Sequence, residues 1–573
     1  MSNIATRLVH GLHFNNLRGD IYGGLTAAVV ALPLALAFGV SSGAGPVAGL
    51  YGAVFVGMFA ALFGGTPAQI SGPTGPMTVV MAAIFTQYTS MYPDDPGKGV
   101  TLAFTVVLMG GLFQVLFGLL KIGKYINLVP HPVISGFMSG IGVIIILLQI
   151  GPLLGHIAQG GPVASAQAIP GVLADPVTAA ALLGLMSLAI VYLLPNRINH
   201  ILPAPLVAVI TGSLALYLFF GGDVTVNEVG GKTVYLLGQV TILGDIPTGL
   251  PEFRLPNIEL PLLVDMLKSG VTLAVLGAID TLLTSLVADS ITRTYHESDR
   301  ELIGQGIGNT IAGLFGGLPG AGATMRTVVN VHAGGRTPIS GVLHASVLFA
   351  IVFGAGGFVK YIPHAVLAGI LVKVGTDIVD WDYLRRLRHV PKTSSVMMFT
   401  VLGITVFVDL ITAVAVGMVM ASLVFLNRMT ELQLESITAI TDPGEEAPLT
   451  DKEAEVMKAA GGRILLFHLG GPMSFGAAKG MARRLANYDE YDALVIDLAD
   501  VPQVDSTSCR AMEDIIREAQ DVGRHAFIVG AQRPVADMLD AQGVFQKLAE
   551  GHRYGRRIDA LRHALQLIQE KTT

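Results

Sequence analysis

Two knots of glycine and proline set between long apolar runs constrain this chain more than any other feature. They are Ser71-Gly72-Pro73-Thr74-Gly75-Pro76-Met77-Thr78 and Gly316-Gly317-Leu318-Pro319-Gly320-Ala321-Gly322-Ala323-Thr324-Met325-Arg326-Thr327. Their setting is a membrane: of 573 residues, 52% are hydrophobic and only 14% charged, far from a soluble average. A helix needs roughly 20 apolar residues to cross ~30 Å of hydrocarbon, and such windows recur from Ile21 to Leu426. Hydrocarbon offers backbone N–H and C=O groups no partners, so irregular backbone at that depth survives only against protein or a water-lined cavity. The two knots therefore read as half-helix starts facing each other around a substrate site.

About fourteen apolar segments follow in order: 21–39, 46–63, 74–88, 101–120, 130–152, 177–194, 203–220, 263–288, 303–316, 323–331, 340–355, 363–377, 396–408 and 411–426. If they alternate across the bilayer, Arg7, Arg18, Lys121, Lys124, Arg197, Arg293, Arg300, Arg336, Arg385, Arg386, Arg388 and Lys392 share one side. The positive-inside rule makes that side cytoplasmic. Both termini then lie inside, in an inner (plasma) membrane, and no cleaved leader is expected before the first span. The opposite side carries the long connection from Gly221 to Pro261, with a strand-like patch at Lys232–Leu236. The expected division is a short segment 1–20, a transport domain 21–430 with repeats 21–220 and 263–426, a linker 431–460 containing Asp442-Pro443-Gly444-Glu445-Glu446, and a soluble domain 461–573. In that last part apolar strands (464–469, 493–497, 526–529) alternate with helices (477–487, 509–520, 558–569), the pattern of a small α/β domain with a mostly parallel sheet.

The knots occupy matching places, each opening the third span of a seven-span half, as an inverted repeat with a midplane site would have them. Each half-helix start carries about half a positive charge, so two together suit one small anion. Glycine and proline also serve tight helix packing, which the matched pairing makes the weaker reading. Asp280 lies well inside an apolar span, and Thr284 shares its face one turn on. With carbonyls near Gly322 to Thr324 they form an oxygen set for sodium; a proton on Asp280 is the alternative. Arg326, within a span, must be paired; it could neutralise Asp280, hold the anion, or point to protein away from both, and is a secondary candidate. His131 and His344 read as packing residues, and Asp409 as a cap. The single cysteine, Cys509, excludes a disulfide framework or a multi-cysteine metal site. Gly471 and Gly476 lack the lysine of a phosphate-binding loop, so ATP drive is not expected. Nothing points to enzymatic chemistry, an organic cofactor or nucleic acid.

Gly45-Pro46-Val47-Ala48-Gly49-Leu50-Tyr51-Gly52, Pro130-His131-Pro132-Val133-Ile134-Ser135-Gly136-Phe137, Glu301-Leu302-Ile303-Gly304-Gln305-Gly306-Ile307-Gly308-Asn309 and Ala333-Gly334-Gly335-Arg336-Thr337 resemble motifs of the sulfate permease (SulP) family of anion transporters. The tail resembles that family's STAS domain. Asn16 to Val29, Pro73 to Met81, Ile279 to Ser285 and Gly320 to Met325 resemble in particular the BicA-type, sodium-dependent bicarbonate transporters. The resemblance implies fourteen helices in two inverted seven-helix repeats, divided into core and gate, and a homodimer formed through the STAS and membrane domains. It implies sodium bound by Asp280, Thr284, Gly322 and Thr324, and bicarbonate or another small anion bound by Thr74, Ala323 and the half-helix amides. Gly75, Thr324 and Arg326 complete the candidate anion site; Arg326 fits the broader family pattern, whereas the BicA-type members carry a small residue there, and its added charge would favour a divalent anion or a dicarboxylate. Proton-coupled sulfate or dicarboxylate symport, or an anion exchanger or channel, uses the same fold. Val504-Asp505-Ser506-Thr507-Ser508 resembles a phosphorylated turn in related domains, with Ser506 at the phosphoacceptor place, although helix capping explains the turn as well.

Overall fold

A computed structural model describes residues 9–157, 161–199, 202–220, 223–229, 232–244, 251–354, 359–442 and 449–571. Arg7 and the linker residues Pro443 to Glu446 lie outside the described residues. The chain divides into two compact units, Met1–Met418 and Val419–Thr573.

The first unit begins with α1 (Leu17–Ser41), α2 (Pro46–Phe63), the two-residue strand β1 (Ser71–Gly72), α3 (Gly75–Met91), α4 (Pro96–Leu119), α5 (His131–Leu153), α6 (Pro162–Ala174), α7 (Thr178–Leu193) and α8 (Ala204–Phe219). A three-stranded antiparallel sheet follows, β2 (Val224–Val229), β3 (Lys232–Leu237) and β4 (Val240–Ile242). Then come α9 (Leu263–Thr292), α10 (Ser298–Leu314), β5 (Ala321–Gly322), α11 (Thr324–His332), α12 (Pro338–Gly354), α13 (His364–Ile378), α14 (Lys392–Phe407) and α15 (Leu410–Glu435), whose residues after Met418 belong to the second unit. Local signals start the helices where expected: Pro46 and Pro96 occupy first positions, where a missing N–H is harmless. Asp95 and Asp409 accept from the amides of Lys98 and Thr412 at the starts of α4 and α15. Among the described residues six helices are long and apolar enough to span a membrane alone, or seven if α6 and α7, bent by 115° to each other, are counted as one span. α6 stands where the sequence reading has a connection. It is 13 residues long and contains Pro170, so no apolar run marks it.

Two structural repeats are visible in the packing. Matching α1–α5, α7 and α8 with α9–α15 pairs α4 against α9 with α12 against α1, α4 against α10 with α12 against α2, and α5 against α14 with α13 against α7; each of these pairs is in contact. β1 and β5, which deliver the third element of each half, pair antiparallel, as inverted repeats require. On α10, Gly306 lies so close to α4 that an added Cβ would stand 2.6 Å from the Gly111 carbonyl oxygen. This backbone approach excludes side chains at the contact.

The second unit contains β6 (Ile437–Ile440), α16 (Asp451–Ala459), β7 (Ile464–Gly470), α17 (Phe475–Leu485), β8 (Ala493–Asp500), α18 (Ser506–Asp521), β9 (His525–Val529), α19 (Arg533–Ala541), β10 (Arg553–Tyr554) and α20 (Arg557–Glu570). Its sheet runs β10-β9-β8-β7-β6, parallel except for the edge strand β6. One apolar core joins it to α17, α18 and α19, and a second to α16 and α20. β6 and α16 fall inside the stretch expected to be a linker, and a capping box at Thr450 and Glu453 starts α16.

Candidate functional site

The site is built at the crossing of β1 and β5. Ser71 pairs with Gly322 and Gly72 with Ala321, and the Ala323 amide donates to the Ile70 carbonyl at 2.8 Å. Hydrogen bonding within this two-residue ladder answers part of the demand that broken helices make in lipid. Gly320 permits the crossing: a Cβ there would stand 2.5–2.9 Å from the Gly72 carbonyl carbon, oxygen and Cα. Asn309 grips Gly320 from both sides, accepting from its amide at 2.7 Å and donating to its carbonyl at 2.9 Å.

The half-helices α3 and α11 leave the crossing in opposite directions from Thr74 and Ala323, and no side chain caps either start. Pro76 removes one amide from α3, leaving Gly75 and Met77 as its early donors. Gly75 lies under the methyl ends of Ile145 on α5 and Ile378 on α13, which an added Cβ would meet at 2.7 and 2.8 Å. Thr324 and Met325 are exposed, whereas Arg326 is 2% exposed.

Helix α9 supplies the polar wall. Asp280 is 7% exposed and accepts from the Thr74 hydroxyl at 2.7 Å. The Thr284 hydroxyl lies 2.9 Å from the Gly322 carbonyl and 2.7 Å from the Thr324 hydroxyl. Thr284, Gly322 and Thr324 therefore meet across the crossing, while Asp280, one turn earlier on the same face of α9, is held by Thr74; a carboxylate, two hydroxyls and a carbonyl are the kinds of oxygen ligand a hard cation takes. Thr74 belongs to the same cluster: it ties the start of α3 to the Asp280 carboxylate. The Arg326 guanidinium packs behind the crossing, donating to the Pro73 carbonyl. Arg326 and Asp280 thus bracket the consecutive residues Pro73 and Thr74 with opposite charges.

Several buried residues that sequence reasoning did not single out hold this arrangement. Thr281 accepts from the Gly322 amide at 3.0 Å, and Thr327 accepts from the Ile70 amide at 3.1 Å. Glu301 accepts from the amides of Gly65 and Thr66 and from the side chains of Gln69 and Gln305. Gln305 also donates to Ser71. Glu301, Gln305 and Asn309 recur every four residues and form one stripe on α10, a spacing legible in the sequence. Asp20 accepts from the Arg336 and Thr337 amides at 2.7 and 2.9 Å, orienting the start of α12.

In the second unit Ser506 is exposed in the first turn of α18, and Asp505 caps that helix by accepting from the Ser508 amide at 2.7 Å. Asp497 is fully buried between His468 at 2.9 Å and Arg557 at 2.9 Å, and Arg557 also grips Glu453. Burial alone would raise the Asp497 pKa, but hydrogen bonds from His468 and the Ala499 amide and the Arg557 charge outweigh it and hold it below the usual value. Cys509 is buried, and desolvation pushes its thiol up to about 11, an unreactive setting.

Repeated halves, a crossing of half-helices and an α/β tail define a helical membrane transporter, and comparison with known proteins agrees. Residues 17–402 match the sulfate permease family and 455–556 the STAS domain, and the chain belongs to the sulfate permease family of anion transporters. It is 46% identical over 560 residues to the bicarbonate transporter BicA of Synechocystis sp., covering 98% of this chain and 96% of that one. To the bicarbonate transporter BicA of Picosynechococcus sp. it is 44% identical, with the same coverage. The solved transmembrane domain of a cyanobacterial BicA aligns with a TM-score of 0.63 and 47% identity over 72% of this chain and 100% of that one. The murine Solute Carrier 26 family member A9 anion transporter, at 17% identity, shares the fold with a TM-score of 0.78 over 98% of this chain and 95% of that one.

Proposed function

We propose that the chain couples sodium to bicarbonate transport, with a core of α1–α4 and α9–α12 moving as an elevator against a gate of α5–α8 and α13–α15. The observation that carries this reading is the hydrogen bond from Thr74, at the start of α3, to Asp280. Through it the candidate cation ligand and the candidate anion cradle share one atom pair. Sodium at Asp280, Thr284, Thr324 and the Gly322 carbonyl would draw on the same carboxylate that orients Thr74. It would thereby set the geometry of Gly75, Ala323 and the early amides that receive the anion. Each ion then strengthens binding of the other by the same factor, because linkage is reciprocal. Sodium with bicarbonate adds no net charge, so the membrane potential, worth ~2.3 kcal/mol per charge per 100 mV, contributes little to that step. A sodium gradient supplies about 1.4 kcal/mol per tenfold ratio.

The family's STAS tail and the basic loops support inner-membrane placement with both termini cytoplasmic, a homodimer through the STAS and membrane domains, and Ser506 as a modification site. The buried Arg326 favours a second reading, proton-coupled transport of sulfate or a dicarboxylate, since its charge adds to that of the half-helix ends. Uptake of labelled bicarbonate and sulfate into proteoliposomes, under an inward sodium gradient or an inward proton gradient, separates the two. Sodium-stimulated bicarbonate uptake is expected. Acid-stimulated sulfate uptake, with bicarbonate indifferent to sodium, would favour the second reading.

A further inference from the structure

The connection between α13 and α14 is a strongly charged surface that the transport reading does not use. Its sequence, Asp380-Trp381-Asp382-Tyr383-Leu384-Arg385-Arg386-Leu387-Arg388-His389-Val390-Pro391-Lys392, holds four permanent cations and the only tryptophan of the chain. Its protein-facing side is fixed. The Asp380 amide donates to Ser139 at 3.2 Å, and Asp380 accepts from the Tyr383 amide at 3.0 Å. The Tyr383 ring stacks on His131 at 5.6 Å between centroids, and the Trp381 indole donates to the Thr376 carbonyl at 2.7 Å. Leu384, Leu387 and Val390 are half-buried, while Arg385, Arg386, Arg388, His389 and Lys392 are exposed. Arg385 approaches Asp382 at 3.8 Å, but both side chains are open, at 78% and 84%. Such a pair contributes little and leaves both charges accessible.

We infer that this platform binds the phosphate headgroups of anionic phospholipids. The segment joins two apolar helices and so lies at headgroup depth, where tryptophan concentrates. Juxtamembrane clusters of arginine and lysine attract anionic lipid, and the arginine fork matches a phosphodiester. A positive-inside loop needs charge alone. This one has a rigid inner face, a half-exposed indole and cations directed outward. The inference is independent of which ion is transported.

Trp381 is its own reporter. The full-length protein is placed in phosphatidylcholine nanodiscs containing a minor fraction of brominated phosphatidylglycerol, or the same fraction of brominated phosphatidylcholine, and indole emission is read. Stronger quenching by the anionic lipid is expected. The triple substitution Arg385→Gln, Arg386→Gln, Arg388→Gln should make the two lipids equal. Each lost charge lowers binding about five-fold, or about a hundred-fold for three. Lys392→Gln alone should weaken the preference about five-fold and serves if the triple variant fails to fold; Arg510→Gln, exposed on α18, should leave it intact. Equal quenching by the two lipids in the native protein would overturn the inference. So would an emission change of the same size on adding inorganic phosphate in detergent, which would identify a free-anion site instead.

Discussion

Glu301 offers the sharpest physical test of how the crossing is held. It is 1% exposed; one carboxylate oxygen accepts from the Gly65 and Thr66 amides at 2.8 and 2.9 Å, and the other from the Gln69 and Gln305 side chains at 2.7 and 2.9 Å. Four donors converge on a group that is acceptor-only when ionised. In Glu301→Gln the amide nitrogen faces both Gln69 and Gln305, so Gln69 must turn to present the Oε1 that now accepts from Ser285, and Gln305 the Oε1 that has no protein partner among the described residues. Gln305 then turns its amide, and the Ser71 hydroxyl, now its acceptor, donates instead. The two backbone bonds survive without their charge, a loss of roughly 1 kcal/mol each and about 2 kcal/mol together. Glu301→Ala instead strands two buried backbone donors at ~1–3 kcal/mol apiece, about 4 kcal/mol before any cavity is counted. It also loosens residues 64–70, which lead into β1. Thermal unfolding of the purified variants in detergent, with uptake measured in parallel, reads both effects. Glu301→Gln is expected to unfold at a lower temperature yet still transport, and Glu301→Ala to lose both. Alanine no worse than glutamine, or glutamine indistinguishable from native, would refute the donor-count argument.

Thr74→Val removes a hydrogen bond to a charged group, worth ~1.5–3 kcal/mol; the sodium concentration for half-maximal uptake should shift roughly 10- to 100-fold with normal yield of folded protein, and an unshifted value would count against Thr74 linking the two sites. Gly320→Ala drives a Cβ into the Gly72 backbone and should abolish uptake, because neither backbone can yield without opening the β1–β5 pair; retained uptake would mean the crossing is not needed. In the STAS domain the Asp497 pKa is held below its unfolded value. Its stabilisation is therefore present above the ordinary aspartate range and lost as pH falls through the folded pKa. Hydrogen exchange of β7 and β8 in the full chain, corrected for intrinsic rates, should show protection steady from neutral pH to about 5 and falling below about 4. Asp497→Asn, which breaks a buried ion pair, should cost about 3 kcal/mol at neutral pH and flatten that dependence.

What was legible in the sequence follows from where composition and period carry information. The knots at Ser71–Thr78 and Gly316–Thr327 stand out because glycine and proline interrupt apolar runs, and the structure pairs them as β1 and β5. Asp280 and Thr284 stand out as polar residues on one face of an apolar helix; Thr284 bonds to Gly322 and Thr324, and Asp280 to Thr74. That Thr74 would donate to Asp280 was not readable, since the two are 206 positions apart and meet only through the packing of α9 against α3. The Glu301, Gln305 and Asn309 stripe was readable as a face, but its partners at Gly65, Ser71 and Gly320 come from tertiary packing. Elements that lack a long pattern escaped: α6, with its prolines, the two-residue β10, and β2 and β4 beside the readable β3. β6 escaped because a four-residue edge strand has too few positions to show a period.

The measurement that bears most directly on the proposed coupling is bicarbonate binding to the purified full chain as a function of sodium, in the native protein and in Asp280→Asn. Coupling through Asp280 requires bicarbonate affinity to rise with sodium in the native protein, sodium affinity to rise with bicarbonate by the same factor, and both effects to vanish in the variant. Bicarbonate affinity that is independent of sodium, or a sodium effect that survives Asp280→Asn, would contradict it.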